Sequence, residues 1–159
     1  MDTRSILKSF DIISSQFEIS NQTRIRDQPS FLSSFLSTVT LNDMMIYDAS
    51  ISSNVFTISE SILNIDGLNI SQINADSSFP VILSLSGTSF MSNNISYTNS
   101  SAKFITSVSS SNKLTGLTIN NVNVVSLIIE MLSATNVTID TAAINHVDTD
   151  DEGVLKMDS

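Results

Sequence analysis

Four acids crowd a short stretch near the C-terminal end: Asp148, Asp150, Asp151 and Glu152. Carboxylate oxygens this close together are the hard ligands that calcium takes, so this run is the chain's candidate metal site. Its spacing departs from an EF-hand loop, and only Gly153 follows the last acid. The competing reading, a solvated loop before the last strand, is the stronger one. His146 is the sole histidine, which leaves no His-based metal set and no Ser-His-Asp arrangement within one chain; a turn position is expected for it. Serine is abundant, yet no G-x-S-x-G string occurs and no base is placed to activate a hydroxyl. The expectation is a chain without catalytic residues, metal or cofactor.

Five N-x-S/T triplets begin at Asn21, Asn69, Asn94, Asn99 and Asn136. Each is a glycosylation acceptor if the chain enters a secretory pathway. Ser, Thr and Asn fill 60 of 159 positions, however, and such a composition produces triplets of this kind by chance. Charge is sparse and acidic, 7 Lys plus Arg against 16 Asp plus Glu, for a formal net charge of −9. A nucleic-acid surface needs clustered cations to replace counterions, so nucleic acid is not an expected partner. No cysteine is present, and disulfides cannot staple the fold. The longest apolar stretch, 122 to 132, is broken by Asn123, Ser126 and Glu130; it falls far short of the roughly 20 residues that span a bilayer. The opening MDTRSILKSF lacks the apolar centre of a secretory signal.

The elements that position these side chains are legible as two interleaved series. The first comprises FLSSFLS, VFTISE, VILSLSG, FITSVSS, LIIEMLS and VLKMDS. Aligned on the last apolar residue they give Phe35, Ile58, Leu85, Val108, Met131 and Met157, separated by 23, 27, 23, 23 and 26 residues. Between them run FEIS, VTLN, LNIS, ISYT, LTIN and VTID, each alternating apolar and polar as a strand does. A period in the twenties marks a solenoid, whose rungs bury their apolar side chains by stacking on one another. No helical period is sustained, and the Ser, Thr and Asn content opposes helix. The prediction is one all-β segment over 1–159, a parallel β-helix of six to seven coils. VLKMDS is a full member of the first series with no polar capping repeat after it. The expectation is therefore a fragment of a longer solenoid, or a unit whose ends stack on neighbours.

Strings such as LTIN, VTID and LNIS, each followed by a polar turn residue (Asn121, Thr141 and Gln72), resemble the right-handed parallel β-helix of pectin-lyase-like proteins. Ser-, Asn- and Ile-rich stretches such as SFMSNNISYTNSSAKFITSVSSSN are similar to repeats in large protist and bacterial surface proteins of that fold. The resemblance implies a right-handed coil with like residues stacked in ladders. One inward ladder would be Phe35, Ile58, Leu85, Val108, Met131 and Met157, and another Ile19, Leu41, Ile70, Tyr97, Ile119 and Ile139. Ser34, Thr57, Ser84, Ser107, Glu130 and Lys156 would face outward. Asn21, Asp43, Gln72, Asn99, Asn121 and Thr141 would stack at a turn. Enzymes of the fold place carboxylates, calcium and a basic residue on one outer sheet. Arg24, Ile25 and Arg26 echo the RIK string of polygalacturonases without its carboxylate partners.

These readings point to a non-catalytic structural rod of an extracellular or cell-surface assembly, acting in display, adhesion or filament formation. Its expected partners are further coils of the same chain or neighbouring subunits end to end. The alternative is a fragment of a polysaccharide lyase or hydrolase of the pectin-lyase-like fold.

Overall fold

The computed structural model describes residues 32–75, 80–124, 128–134, 136–149 and 153–158, together with the backbone of 10–13, 16–19 and 24–25. Short strands β1 (Phe10–Ile13), β4 (Leu32–Phe35), β6 (Phe56–Ser59), β8 (Val81–Ser86), β10 (Lys103–Val108), β12 (Ile129–Leu132) and β14 (Leu155–Asp158) stack in that order into one sheet. A second sheet contains β2 (Gln16–Ile19) and the long strands β5 (Thr38–Ile51), β7 (Ile62–Ala75), β9 (Ser89–Ser100), β11 (Ser111–Val124) and β13 (Asn136–Thr149). The two-residue β3 (Arg24–Ile25) pairs with β5. Every pairing among these strands is parallel, and no helix occurs among the described residues.

The chain is thus the all-β parallel solenoid that its two series predict, with about five turns where six to seven were expected. Five coils join one short strand to one long strand, whereas β14 supplies half of another and β1 to β3 are short pieces. Counting apolar segments counts these partial coils as whole ones.

Each long strand turns two corners without leaving its sheet. The device is a residue in the left-handed region, φ between 48° and 76°, which breaks the in-out alternation and bends the strand. Asp43, Gly67, Asn94, Gly116 and Thr141 occupy the first such corner in successive coils, and Asp48, Gln72, Asn99, Asn121 and His146 the second. A third column, Leu36, Glu60, Gly87, Ser109 and Ser133, follows the short strands. Asn and Asp tolerate this conformation better than most residues, which accounts for their recurrence. The single turn expected from Asp43, Gln72, Asn99, Asn121 and Thr141 is two turns. Asp43 and Thr141 belong to the first corner, and the other three to the second; Asn21 lies outside the described residues.

The corners also correct the ladders. In the short sheet the column of like depth is Ser34, Ile58, Leu85, Ser107, Met131 and Met157. Phe35 and Val108 sit one residue later, immediately before the left-handed corner, and face out at 45% and 37% exposure. Ser34 and Ser107 are buried in their place. Pairing register is set by the backbone ladder and the corner, so the last apolar residue of a segment is not a fixed depth marker. The outward column is accordingly Ser33, Thr57, Ser84, Thr106, Glu130 and Lys156. In the long sheet Ile19, Leu41 and Ile139 share a column with Ile65, Ser92 and Leu114. Ile70, Tyr97 and Ile119 share another with Ile46 and Ile144. The expected second ladder therefore splices two columns five residues apart along the strand.

Buried hydroxyls hold the coils together at the third corner. Ser61 Oγ accepts from the Ser37 amide at 3.1 Å and donates to the Ser59 carbonyl at 2.6 Å. Ser110 Oγ repeats the arrangement with the Thr88 amide at 3.0 Å and the Val108 carbonyl at 2.9 Å. Ser100 does the same beyond the second corner, accepting from the Ile73 amide at 3.1 Å and donating to the Thr98 carbonyl at 2.7 Å. Each small hydroxyl pairs backbone groups that a bent strand would otherwise bury unsatisfied.

Candidate functional site

The sequence-predicted site residues scatter. Asp148 lies on β13, exposed and level with Asn123 rather than on a loop, while Asp150, Asp151 and Glu152 lie outside the described residues. Among the described residues no group of three or more His, Cys, Asp or Glu side chains converges on a metal position. His146 is an exposed corner residue at φ 48°. Of the triplet asparagines, Asn69 and Asn136 are exposed on strands and Asn94 and Asn99 at corners; Asn21 lies outside the described residues. Asn99 Oδ1 accepts from Asn121 Nδ2 at 2.6 Å, leaving its own amide nitrogen, the atom a glycan would join, outside that bond.

The structure assembles a different site, which the sequence reading did not single out. Before the first corner, the columns Thr40, Asn64, Met91, Lys113 and Asn42, Asp66, Asn93, Thr115 flank the backbone of Leu41, Ile65, Ser92 and Leu114. Between them lies a groove of about 360 Å³ lined by Asn42, Asn64, Ile65, Asp66, Met91, Ser92, Asn93, Lys113 and Thr115. Asp66 Oδ1 accepts from Asn93 Nδ2 at 3.1 Å on its rim. Asn64 Oδ1 and Ser92 Oγ are buried without a hydrogen-bond partner. Asn64 stands in the outward column, where an ordered water or a polar ligand group could donate to it, whereas Ser92 stands in the inward column with Ile65 and Leu114. Glycoside chemistry uses two carboxylates about 5 to 10 Å apart. The groove's lining has one, Asp66, with Lys113 as its one cation.

Elsewhere the polar groups serve packing. Lys103 Nζ and Glu130 Oε2 pair at 2.6 Å, both largely buried, across adjacent coils. Tyr97 is buried, stacked on Phe104 at 5.1 Å, and its hydroxyl donates to the Ala102 carbonyl. Burial holds its ionisation well above the ordinary tyrosine range, and bonds to Ser100 and Ala102 offset only part of that.

The remaining distinctive surface is the last coil. Ile144 is 46% exposed and Met157 56%, whereas their column neighbours one coil below, Ile119 and Met131, are fully buried. The side chains are of the same kind as those below, and a stacked coil above them is what differs. No helix among the described residues is long and apolar enough to cross a membrane. No protein-family model, curated protein or solved structure matches the chain.

Proposed function

We propose that the chain is a non-catalytic structural rod segment of an extracellular or cell-surface assembly, acting in display, adhesion or filament formation. In this reading it is akin to pectin-lyase-like β-helices of large surface proteins. The observation that carries it is the repeated hydroxyl clasp, in which Ser61 and Ser110 bond the Ser37 and Thr88 amides one coil below. Clasps of this kind at two joints, with Thr88 Oγ1 bonding the Ile58 carbonyl at the joint between them, tie neighbouring coils into a stiff cylinder, and stiffness is what a rod supplies. The last coil's exposed Ile144, Leu155 and Met157 suit a segment covered by another coil of the same kind. Asn69, Asn94, Asn99 and Asn136 stand on the outside, where glycans would be tolerated. Immunogold labelling of the source cells with antibody raised against the chain tests the reading. Label on the outer surface is expected, and label confined to the cytoplasm overturns it.

A second reading, a fragment of a polysaccharide lyase or hydrolase, would place its chemistry in the groove with Asp66 and Lys113, whose lining is one carboxylate short of a glycosidase pair. Product release from acidic polysaccharides, with and without calcium, decides between them. The structural reading expects none; release abolished by Asp66→Asn establishes the enzyme.

A further inference from the structure

We propose that the groove before the first corner binds a short unmodified peptide of about three residues, its free ammonium held on one coil and its carboxylate two coils further along. The rod reading does not require this site. Two pairs of side chains define it. Asn64 and Asp66 flank the backbone of Ile65 on β7, and Lys113 and Thr115 flank that of Leu114 on β11. Asn64 shares a column with Lys113 through Met91, and Asp66 shares one with Thr115 through Asn93. At a strand spacing of about 4.8 Å the two pairs stand about 10 Å apart along the cylinder.

The β7 end accepts hydrogen bonds and the β11 end donates them. Asp66 Oδ1 accepts from Asn93 Nδ2 at 3.1 Å, and Asp66 has no further hydrogen bond or ion pair among the described residues. Asn64 Oδ1 has no partner, and the broad χ2 of asparagine lets a ligand's ammonium turn that oxygen toward it. A second carboxylate reinforces this end, for Asp43 Oδ1 lies 2.8 Å from the place of a Cβ on Gly67, next to Asp66. Over Gly116, next to Thr115, the corresponding neighbour is the neutral Asn94. Lys113 is exposed and makes no hydrogen bond or ion pair among the described residues. A complementary ligand is therefore cationic at the β7 end and anionic at the β11 end, as both termini of a free peptide make it at neutral pH. Between the ends, Met91 is 48% exposed and offers apolar contact, while Asn93 Oδ1 remains to accept an N–H. Peptide groups alternating with small side chains supply both. Three extended residues span about 10 Å, which matches the separation of the two pairs. The groove's volume of about 360 Å³ lies at the small end of the range for ligand sites and suits an occupant of this size.

Equilibrium dialysis of trialanine against the full 159-residue chain at low ionic strength tests this. Trialanine should be retained, and acetylating its amine or amidating its carboxylate should each weaken retention about fivefold, as the loss of one exposed charge pair does. Dialanine, too short to reach both ends, should be weaker to a similar degree. Asp66→Asn should remove the effect of acetylation and leave that of amidation, and Lys113→Met should do the reverse. Both side chains are exposed, so the variants should keep the parent's thermal midpoint. Capped peptides that bind as well as free trialanine, no retention of any of them, or capping effects that survive unchanged in the variants overturn the site. Surface labelling reads the rod and dialysis reads the groove, so the failure of either leaves the other standing.

Discussion

Ser107 Oγ donates to Asn112 Oδ1 at 3.0 Å, joining the short strand of one coil to the long strand that follows it. Both residues are buried. Ser107 stands between Leu85 and Met131 in its column, and Asn112 between Phe90 and Val137. The pair replaces apolar contact with a satisfied polar one, and Asn112 Nδ2 also donates to the Ser110 carbonyl at 3.4 Å.

A charge at Ser107 has no water to meet. Ser107→Asp should cost about 3 kcal/mol or more, since a carboxylate would lose its hydration inside the coil. Val108→Asp, one residue along on the outer face, should cost under about 1 kcal/mol. Thermal or urea unfolding of the two variants checks the order, which is the reverse of what the apolar pattern predicts.

Glycine at position 87 is required by its neighbour as much as by its backbone. Its φ of 58° is shared by non-glycine residues in the same column, but a Cβ there would lie 2.7 Å from Glu60 Cδ and 2.9 Å from Oε2. Gly87→Ala should therefore destabilise by about 2 kcal/mol, part from the left-handed backbone and part from displacing Glu60. In a Glu60→Ser background the same change should cost about 1 kcal/mol. A double-mutant cycle measures the difference, and strict additivity would place the whole effect in the backbone.

Leu36 holds φ 51° with its side chain exposed. Left-handed backbone costs an ordinary residue about 1 to 2 kcal/mol, and asparagine is favoured there. Leu36→Asn should raise stability by about 1 kcal/mol, read as a higher midpoint of thermal unfolding.

Tyr97 links stability to high pH. Its hydroxyl ionises later in the folded chain than in the unfolded one because burial disfavours the phenolate. The stabilisation is therefore fully present below the unfolded value of about 10 and is lost as pH rises above it, by up to about 1.4 kcal/mol per pH unit. Tyr97→Phe should flatten that decline. It should also cost about 1 to 2 kcal/mol at neutral pH, since the Ala102 carbonyl loses its donor. Unfolding followed from pH 7 to 11 checks both.

The sequence by itself determined that this chain is a parallel β-solenoid. Two strand series at a period in the twenties, with Asn and Asp at intervals and no sustained helical period, leave stacking as the way to bury Ile58, Leu85 and Met131. It also marked corner residues such as Asn99 and Asn121, whose short amides suit left-handed backbone. Depth at individual positions was decided by the tertiary structure. Each left-handed corner resets the alternation, so that Asn42 and Asp43 both avoid the core and Met44 enters it, and no period-two count survives three such resets per coil. Phe35 and Val108 consequently face out while Ser34 and Ser107 face in. The groove arose the same way: Asn64, Asp66, Asn93 and Lys113 are far apart in sequence and unremarkable singly. Parallel stacking at about 4.8 Å per coil is what sets them on one wall or the other, and that distance exists only between coils.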